Sequence, residues 1–147
     1  KKEYRPYFEV HPGISSVQLA AAISGAPLMN DFCSVSLSDK LTPWSLIEKR
    51  IKGALVGDFV IALFNPQSIE RNWQLKSVID ICLQSRHGDT PVLIARQVGR
   101  ENQTKKFFTL NTIPFKEIDM LSIIIIGNSQ TTLVDEIFLT PRGYLQN

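Results

Sequence analysis

Residues 122–130 read SIIIIGNSQ, with four consecutive isoleucines at 123–126 followed by Gly127, Asn128, Ser129 and Gln130. An alternating strand that faces water on one side cannot carry such a run. The pattern predicts a strand covered on both faces. The remainder of the chain supplies elements able to cover it.

Strand and helix signals alternate along the sequence. The stretch 7–13, YFEVHPG, reads as a strand end entering a Pro-Gly turn. SSVQLAAAISGAP then opens with Ser15 as a helix cap and Gln18 three residues on, the two halves of a capping box. Gly25 and Pro27 close that helix. DFCSVSL (31–37) alternates as a strand does. In LTPWSLIEKRIKGALVG, Thr42 is the expected cap and Pro43 the first helical residue. Trp44, Ile47, Ile51, Ala54 and Leu55 share one face there, with Glu48 and Lys52 paired on the other. DFVIALFNP (58–66) and TPVLIARQVG (90–99) are two more apolar strands. Between them NWQLKSVIDICLQSRHG sets Leu75, Val78, Ile79, Cys82 and Leu83 on one helical face. KKFFTLNTIPFKEIDM gives a strand and a short helix begun near Pro114, and DEIFLTPRGY a shorter edge element. Such alternation implies an α/β layer structure, with a mixed, mostly parallel sheet flanked by helices.

In such sheets ligands collect beyond the carboxyl ends of strands. Three strands end alike, in ALFNP, ARQVG and IIIGNSQ, with Asn, Gln, Gly or Pro in place of charges. Two readings follow: one pocket shared by three strand ends, or ordinary turn formers.

Composition removes several functions. The chain has 147 residues, 44% of them hydrophobic, and a net charge of +2 with no basic run longer than two, so neither nucleic acid nor an anionic membrane is called for. No apolar run reaches the ~18 residues of a membrane span, and no signal peptide is visible behind KKEYRPY. A cytoplasmic protein is expected. Cys33 and Cys82 lie in apolar segments and read as reduced core residues. With two histidines and no CxxC pair, no metal site is expected. GxSxG, GxxxxGK[ST] and GxGxxG are all lacking, and His11 and His87 have no evident nucleophile beside them. Asp39 reads as a turn aspartate. Arg96 lies inside an apolar strand, with Arg100 just beyond it. A guanidinium there requires an anionic partner, supplied by the protein or by a ligand.

Four ordered stretches carry a resemblance: EVHPGISSVQLAAAISGAPLMNDF, LSDKLTPWSLIEKRI, DFVIALFNPQSIERNWQL and IIIIGNSQT…TPRGY. Together they resemble the tetrapyrrole methylases of cobalamin biosynthesis, and within that family the precorrin-3B C(17)-methyltransferase branch. The resemblance runs from about Tyr7 to Tyr144. It implies two α/β domains that bind S-adenosylmethionine in the cleft between them, with a tetrapyrrole in an adjoining trough. Residues 15–147 would be the C-terminal domain, and residues 1–14 the end of the N-terminal domain with its linker strand. The implied reaction is methyl transfer to C(17) of a precorrin-3-type tetrapyrrole, with ring contraction. The implied partners are a precorrin or cobalt-precorrin, the N-terminal domain and, in the intact enzyme, a second copy in a homodimer. The alternatives are a non-catalytic binding or dimerisation fragment, or a methylase of another corrin carbon.

The same resemblance assigns residues. Ser15 and Ser16 stand where the family places two small residues against the cofactor. Phe64 and Asn65 fall at the strand end that contacts the adenosyl group, and Val98 at the end of the next strand. Gly127 and Asn128 match the loop whose backbone reaches the adenine. Arg96, Arg100 and Arg142 are candidates for the substrate's carboxylates by charge. Ser38 and Asp39 are possible proton donors for ring contraction, whose catalytic residues stay unassigned.

Overall fold

The structure is a computed structural model that describes residues 6–68 and 70–143. Helix α1 spans Ser16–Ser24 and begins with the expected reciprocal cap: the Ser15 side chain accepts from the Val17 amide, and Gln18 Oε1 accepts from the Ser15 amide at 2.8 Å. Strands β1 (Gly25–Ala26) and β2 (Phe32–Ser36) follow, then α2 (Trp44–Val56), β3 (Val60–Phe64), α3 (Gln74–Leu83) and β4 (Pro91–Arg96). Next come β5 (Thr104–Thr109), two short 3₁₀ turns, β6 (Ser122–Ile126), β7 (Thr132–Val134) and β8 (Ile137–Leu139).

The main sheet has the order β2-β3-β6-β4-β5. The isoleucine strand is its middle member. Alternation then divides the core in two. Ile124 and Ile126 join Ile61, Leu63, Val92 and Ile94 beneath α2 and α3. Ile123 and Ile125 join Val60, Ala62, Leu93 and Ala95 beneath α1 and Phe138 of β8. All four isoleucines are at most 2% exposed. Full burial contributes roughly 1.5–3 kcal/mol for each side chain of this kind.

The mixed α/β architecture is as expected, but its strand pairing corrects the expectation of a mostly parallel sheet. Within the main sheet β2 and β3 pair in parallel, whereas β3–β6, β6–β4 and β4–β5 are antiparallel. The helix-linked strands β2, β3 and β4 do run the same way, because a helical crossover returns the chain in its original sense. The β4–β5 hairpin then reverses the chain. The segment 110–121 crosses back under α3, with Leu110, Ile113 and Ile118 in the core, and β6 enters between β3 and β4 in the reversed sense.

A second, three-stranded sheet, β1-β8-β7, closes the α1 side. The edge element read at DEIFLTPRGY corresponds to β8, its hairpin partner β7 went unread, and two residues pairing in β1 carry no periodicity to detect. Residues 6–14 form no strand; Tyr7, Phe8 and Val10 are exposed there. Pro43, not Thr42, caps α2, without a side-chain bond. On α3 Ile81 is buried in place of Leu83. Cys33 and Cys82 are free thiols, and burial, opposed by the charge of Arg86, pushes Cys82 up to about 11.

Two glycines make opposite predictions for stability. Gly25 has φ 132°, and a Cβ there would lie 2.7 Å from the Phe138 carbonyl oxygen. Gly25→Ala is expected to cost about 1–3 kcal/mol in urea unfolding by straining the β1–β8 contact. Gly53 lies within α2, where a Cβ meets nothing within 4 Å. Gly53→Ala is expected to stabilise by roughly 0.5–1 kcal/mol.

Candidate functional site

Register decides which strand ends meet. Ser36 of β2 pairs with Phe64 of β3, and Arg96 of β4 with Ser122 of β6. The carboxyl ends of β2, β3 and β4 therefore share one edge of the sheet with the amino end of β6. Ile126 pairs instead with Ile61 and Val92, near the starts of β3 and β4. Gly127 and Asn128 consequently lie at the opposite edge. This corrects the expectation of one pocket built from three strand ends: the antiparallel entry of β6 sends its terminal loop away from the other two.

That loop is occupied with internal bonds. Asn128 donates to the Asp58 carbonyl at 3.0 Å and accepts from the Gln130 amide and the Thr131 hydroxyl. Ser129 donates to both carboxylate oxygens of Asp58, from its amide at 3.1 Å and its hydroxyl at 2.6 Å. Arg86 donates to the carbonyls of Gly127 and Phe59. A Cβ on Gly127 would lie 2.6 Å from Thr131 Cβ. Glycine is needed there for the closeness of the chain to itself.

At the other edge, Ser16, Phe64, Asn65 and Val98 come together around a cavity of about 270 Å³, joined by Gln97, Arg100 and Met120. Ser15 caps the helix beside them. Asn65 (φ 51°) and Gln97 (φ 53°) both adopt the left-handed conformation directly after β3 and β4. Non-glycine residues rarely do so, and such strain gathers where surroundings over-determine the backbone. Asn65 is held by its side-chain bond to the Ser36 hydroxyl at 3.0 Å and by Arg71, which donates to its carbonyl at 3.1 Å. The Gln97 amide donates to the Leu121 carbonyl at 3.0 Å. A larger cavity of about 840 Å³ adjoins, sharing Asn65, Met120 and Leu121 and lined also by Ser38, Lys40 and Arg71.

The other sequence-derived candidates divide. Arg96 has a protein partner: its Nε and Nη2 each lie 2.9 Å from Asp119 Oδ2. Arg100 rims the smaller cavity, whereas Arg142 is exposed and lines neither. Ser38 lines the larger cavity, and Asp39 accepts from Gln74 Nε2 at 2.9 Å. Tyr144 of the TPRGY motif lies outside the described residues. Sequence reasoning missed Arg71, Gln97 and Met120. Gln97 was reachable, being the polar residue directly after an apolar strand. Arg71, inside QSIERNW, reads as a solvated loop residue, yet it is 6% exposed.

The family profile for tetrapyrrole (corrin/porphyrin) methylases matches residues 2–114. The chain belongs to this family. It is 44% identical over 144 residues to a cobalt-factor III methyltransferase of Priestia megaterium, covering 98% of this chain and 27% of that protein. It is also 44% identical over 133 residues to a probable cobalt-factor III C(17)-methyltransferase of Salmonella typhimurium, covering 90% of this chain and 55% of the relative. Among solved structures, the methyltransferase CobJ superimposes with a TM-score of 0.84 at 36% identity, over 88% of this chain and 54% of that one. The cobalt precorrin-4 methyltransferase CbiF, at 21% identity, covers 81% of this chain and 51% of its own with a TM-score of 0.61, and so shares the fold. The chain thus spans from about a quarter to about half of the length of these relatives.

Asp119 anchors the wall between the two cavities. Burial works to raise its carboxyl, but bonds from Arg96, Ser122 and the Leu121 amide, with the Arg96 charge, hold it below the ordinary 3.8. Its stabilisation is therefore full above 3.8 and is lost as pH falls through the depressed folded value. Asp119→Asn is expected to lower the urea midpoint at pH 7. The gap to the parent should narrow as pH falls below 3.8, which paired denaturation curves will measure.

Proposed function

We propose that this chain is the C-terminal part of an S-adenosylmethionine-dependent methyltransferase that alkylates C(17) of a precorrin-3-type tetrapyrrole, with ring contraction, in cobalamin biosynthesis. The observation that carries this reading is the 44% identity, sustained over 133 residues, to a probable C(17)-methyltransferase. The geometry supports it. One edge of the sheet offers a half-open cleft with an aromatic side chain, two left-handed strand ends and an adjacent larger trough.

The residues present fit an adenosyl group. Phe64 is half-buried in the smaller cavity and offers an apolar face, and the Asn65 and Gln97 amides surround it with hydrogen-bonding groups. Ser16 and Val98 complete the wall. Gly127 and Asn128 are not part of this cleft. S-adenosylmethionine would supply an electrophilic methyl on its sulfonium. The protein's share is to hold the accepting carbon in line with that methyl and to exclude water, which is catalysis by orientation. Asn65, fixed by Ser36 and Arg71, and Gln97, fixed by Leu121, would give the cleft rigid walls. The second wall would come from the family's N-terminal domain, and the intact enzyme would be a cytoplasmic homodimer.

Calorimetric titration of S-adenosylhomocysteine tests this. Binding is expected in a protein extended upstream by one domain and to be at least tenfold weaker in this chain alone. Phe64→Ala in the extended protein should weaken it by about 1–3 kcal/mol without unfolding. No binding by either protein would overturn the methyltransferase reading.

A further inference from the structure

The larger cavity holds a cation that lacks an anion. Arg71 is buried, 6% exposed. Its Nη1 donates to the Asn65 carbonyl at 3.1 Å, its Nη2 rests against the sulfur of Met120, and its Nε has no partner. Among the described residues no carboxylate pairs with it, and the two that line the cavity are engaged: Glu70 with Lys40 at 3.3 Å and Asp119 with Arg96 at 2.9 Å. A buried guanidinium keeps its charge, and leaving it unpaired is costly. The Arg86 side chain is also covered and its Nε also lacks a partner, but both its terminal nitrogens donate to carbonyls and Asp58 lies at 3.9 Å.

The unsatisfied groups of Arg71 are adjacent. Nε and Nη2 form the side edge of the guanidinium, the edge that takes a carboxylate through two parallel bonds. Among the described residues its one polar contact is Nη2 against the Met120 thioether. Sulfur is a weak acceptor, the methionine side chain turns readily, and Met120 is 46% exposed. Gln67, in the same cavity, has a buried Oε1 without a partner; with its amide turned over it would present a donor.

We propose that Arg71 is the base of a carboxylate-binding subsite in the larger cavity, covered by Met120 until an anionic ligand displaces it. Two sources offer that group: the acidic side chains of a tetrapyrrole and the methionyl end of an S-adenosyl compound. The inference rests on the methyltransferase reading only for this choice of probes.

Nitrogen-15 NMR of the arginine side chains reads the site directly, with the Arg71 signal assigned through Arg71→Lys. The protein extended upstream by one domain is titrated separately with uroporphyrin, S-adenosylhomocysteine and 5′-methylthioadenosine, which lacks the carboxylate. A shift of the Arg71 Nε signal with uroporphyrin assigns the subsite to the tetrapyrrole. A shift with S-adenosylhomocysteine but not with methylthioadenosine assigns it to the methionyl group. Met120→Ala, which uncovers the edge and leaves Arg71 in place, is expected to tighten the carboxylate probe at least threefold. An Arg71 signal that no carboxylate probe moves in the folded protein overturns the proposal, as does a Met120→Ala affinity equal to the parent's. Equal binding of S-adenosylhomocysteine and methylthioadenosine with Arg71 unmoved would sink the subsite and keep the cofactor reading. Uroporphyrin moving Arg71 with neither adenosyl compound bound would do the reverse.

Discussion

The fold depends on covering β6 on both faces. Its four isoleucines have no polar side to offer water, so the strand must be central and each face must carry a layer. Helices α2 and α3 cover one face; α1 and Phe138 cover the other. The small sheet exists largely for the second task. It brings Phe138, fully buried, over the face that one nine-residue helix leaves incomplete. Gly25 permits the close approach of that hairpin to the end of α1.

From the same constraint follows the division of the molecule into two edges with different work. β6 enters between β3 and β4 in the reversed sense, so its terminal loop meets the starts of those strands. That edge is braced by a network of Asn128, Ser129, Asp58 and Arg86 beside a cavity of about 380 Å³, and the polar loop after the isoleucines fastens the sheet. The other edge is left open. There β3 and β4 end in left-handed residues that turn the chain aside, and the space between them remains as a cleft. The segment Ile118–Leu121, tied down through Asp119 to Arg96, separates the two cavities of that edge.

Local chemistry explains which parts were legible. The capping box at Ser15 and Gln18, the apolar faces of α2 and α3 and the five main strands each show in a short window of sequence, because periodicity and capping are properties of neighbouring residues. Phe64, Asn65, Val98 and Ser16 could be grouped through the family resemblance, and the structure does bring them together. Arg96 was read as needing an anion, and Asp119 provides it. The hairpin sense of β5, the two-residue β1 and the burial of Arg71 were not legible, since each depends on a partner distant in sequence.

The sequence by itself determined an α/β layer protein of the tetrapyrrole methylase family, with a central strand buried on both faces and a first helix capped at Ser15. Those features are written in hydrophobic period, turn chemistry and ordered motifs, all of them local. Only the tertiary structure decided the direction of β6, and with it which strand ends share a cleft. A run of isoleucines buries equally well in either direction. Its sense was set by the β4–β5 hairpin and the crossover beneath α3, through pairings that no stretch of sequence contains.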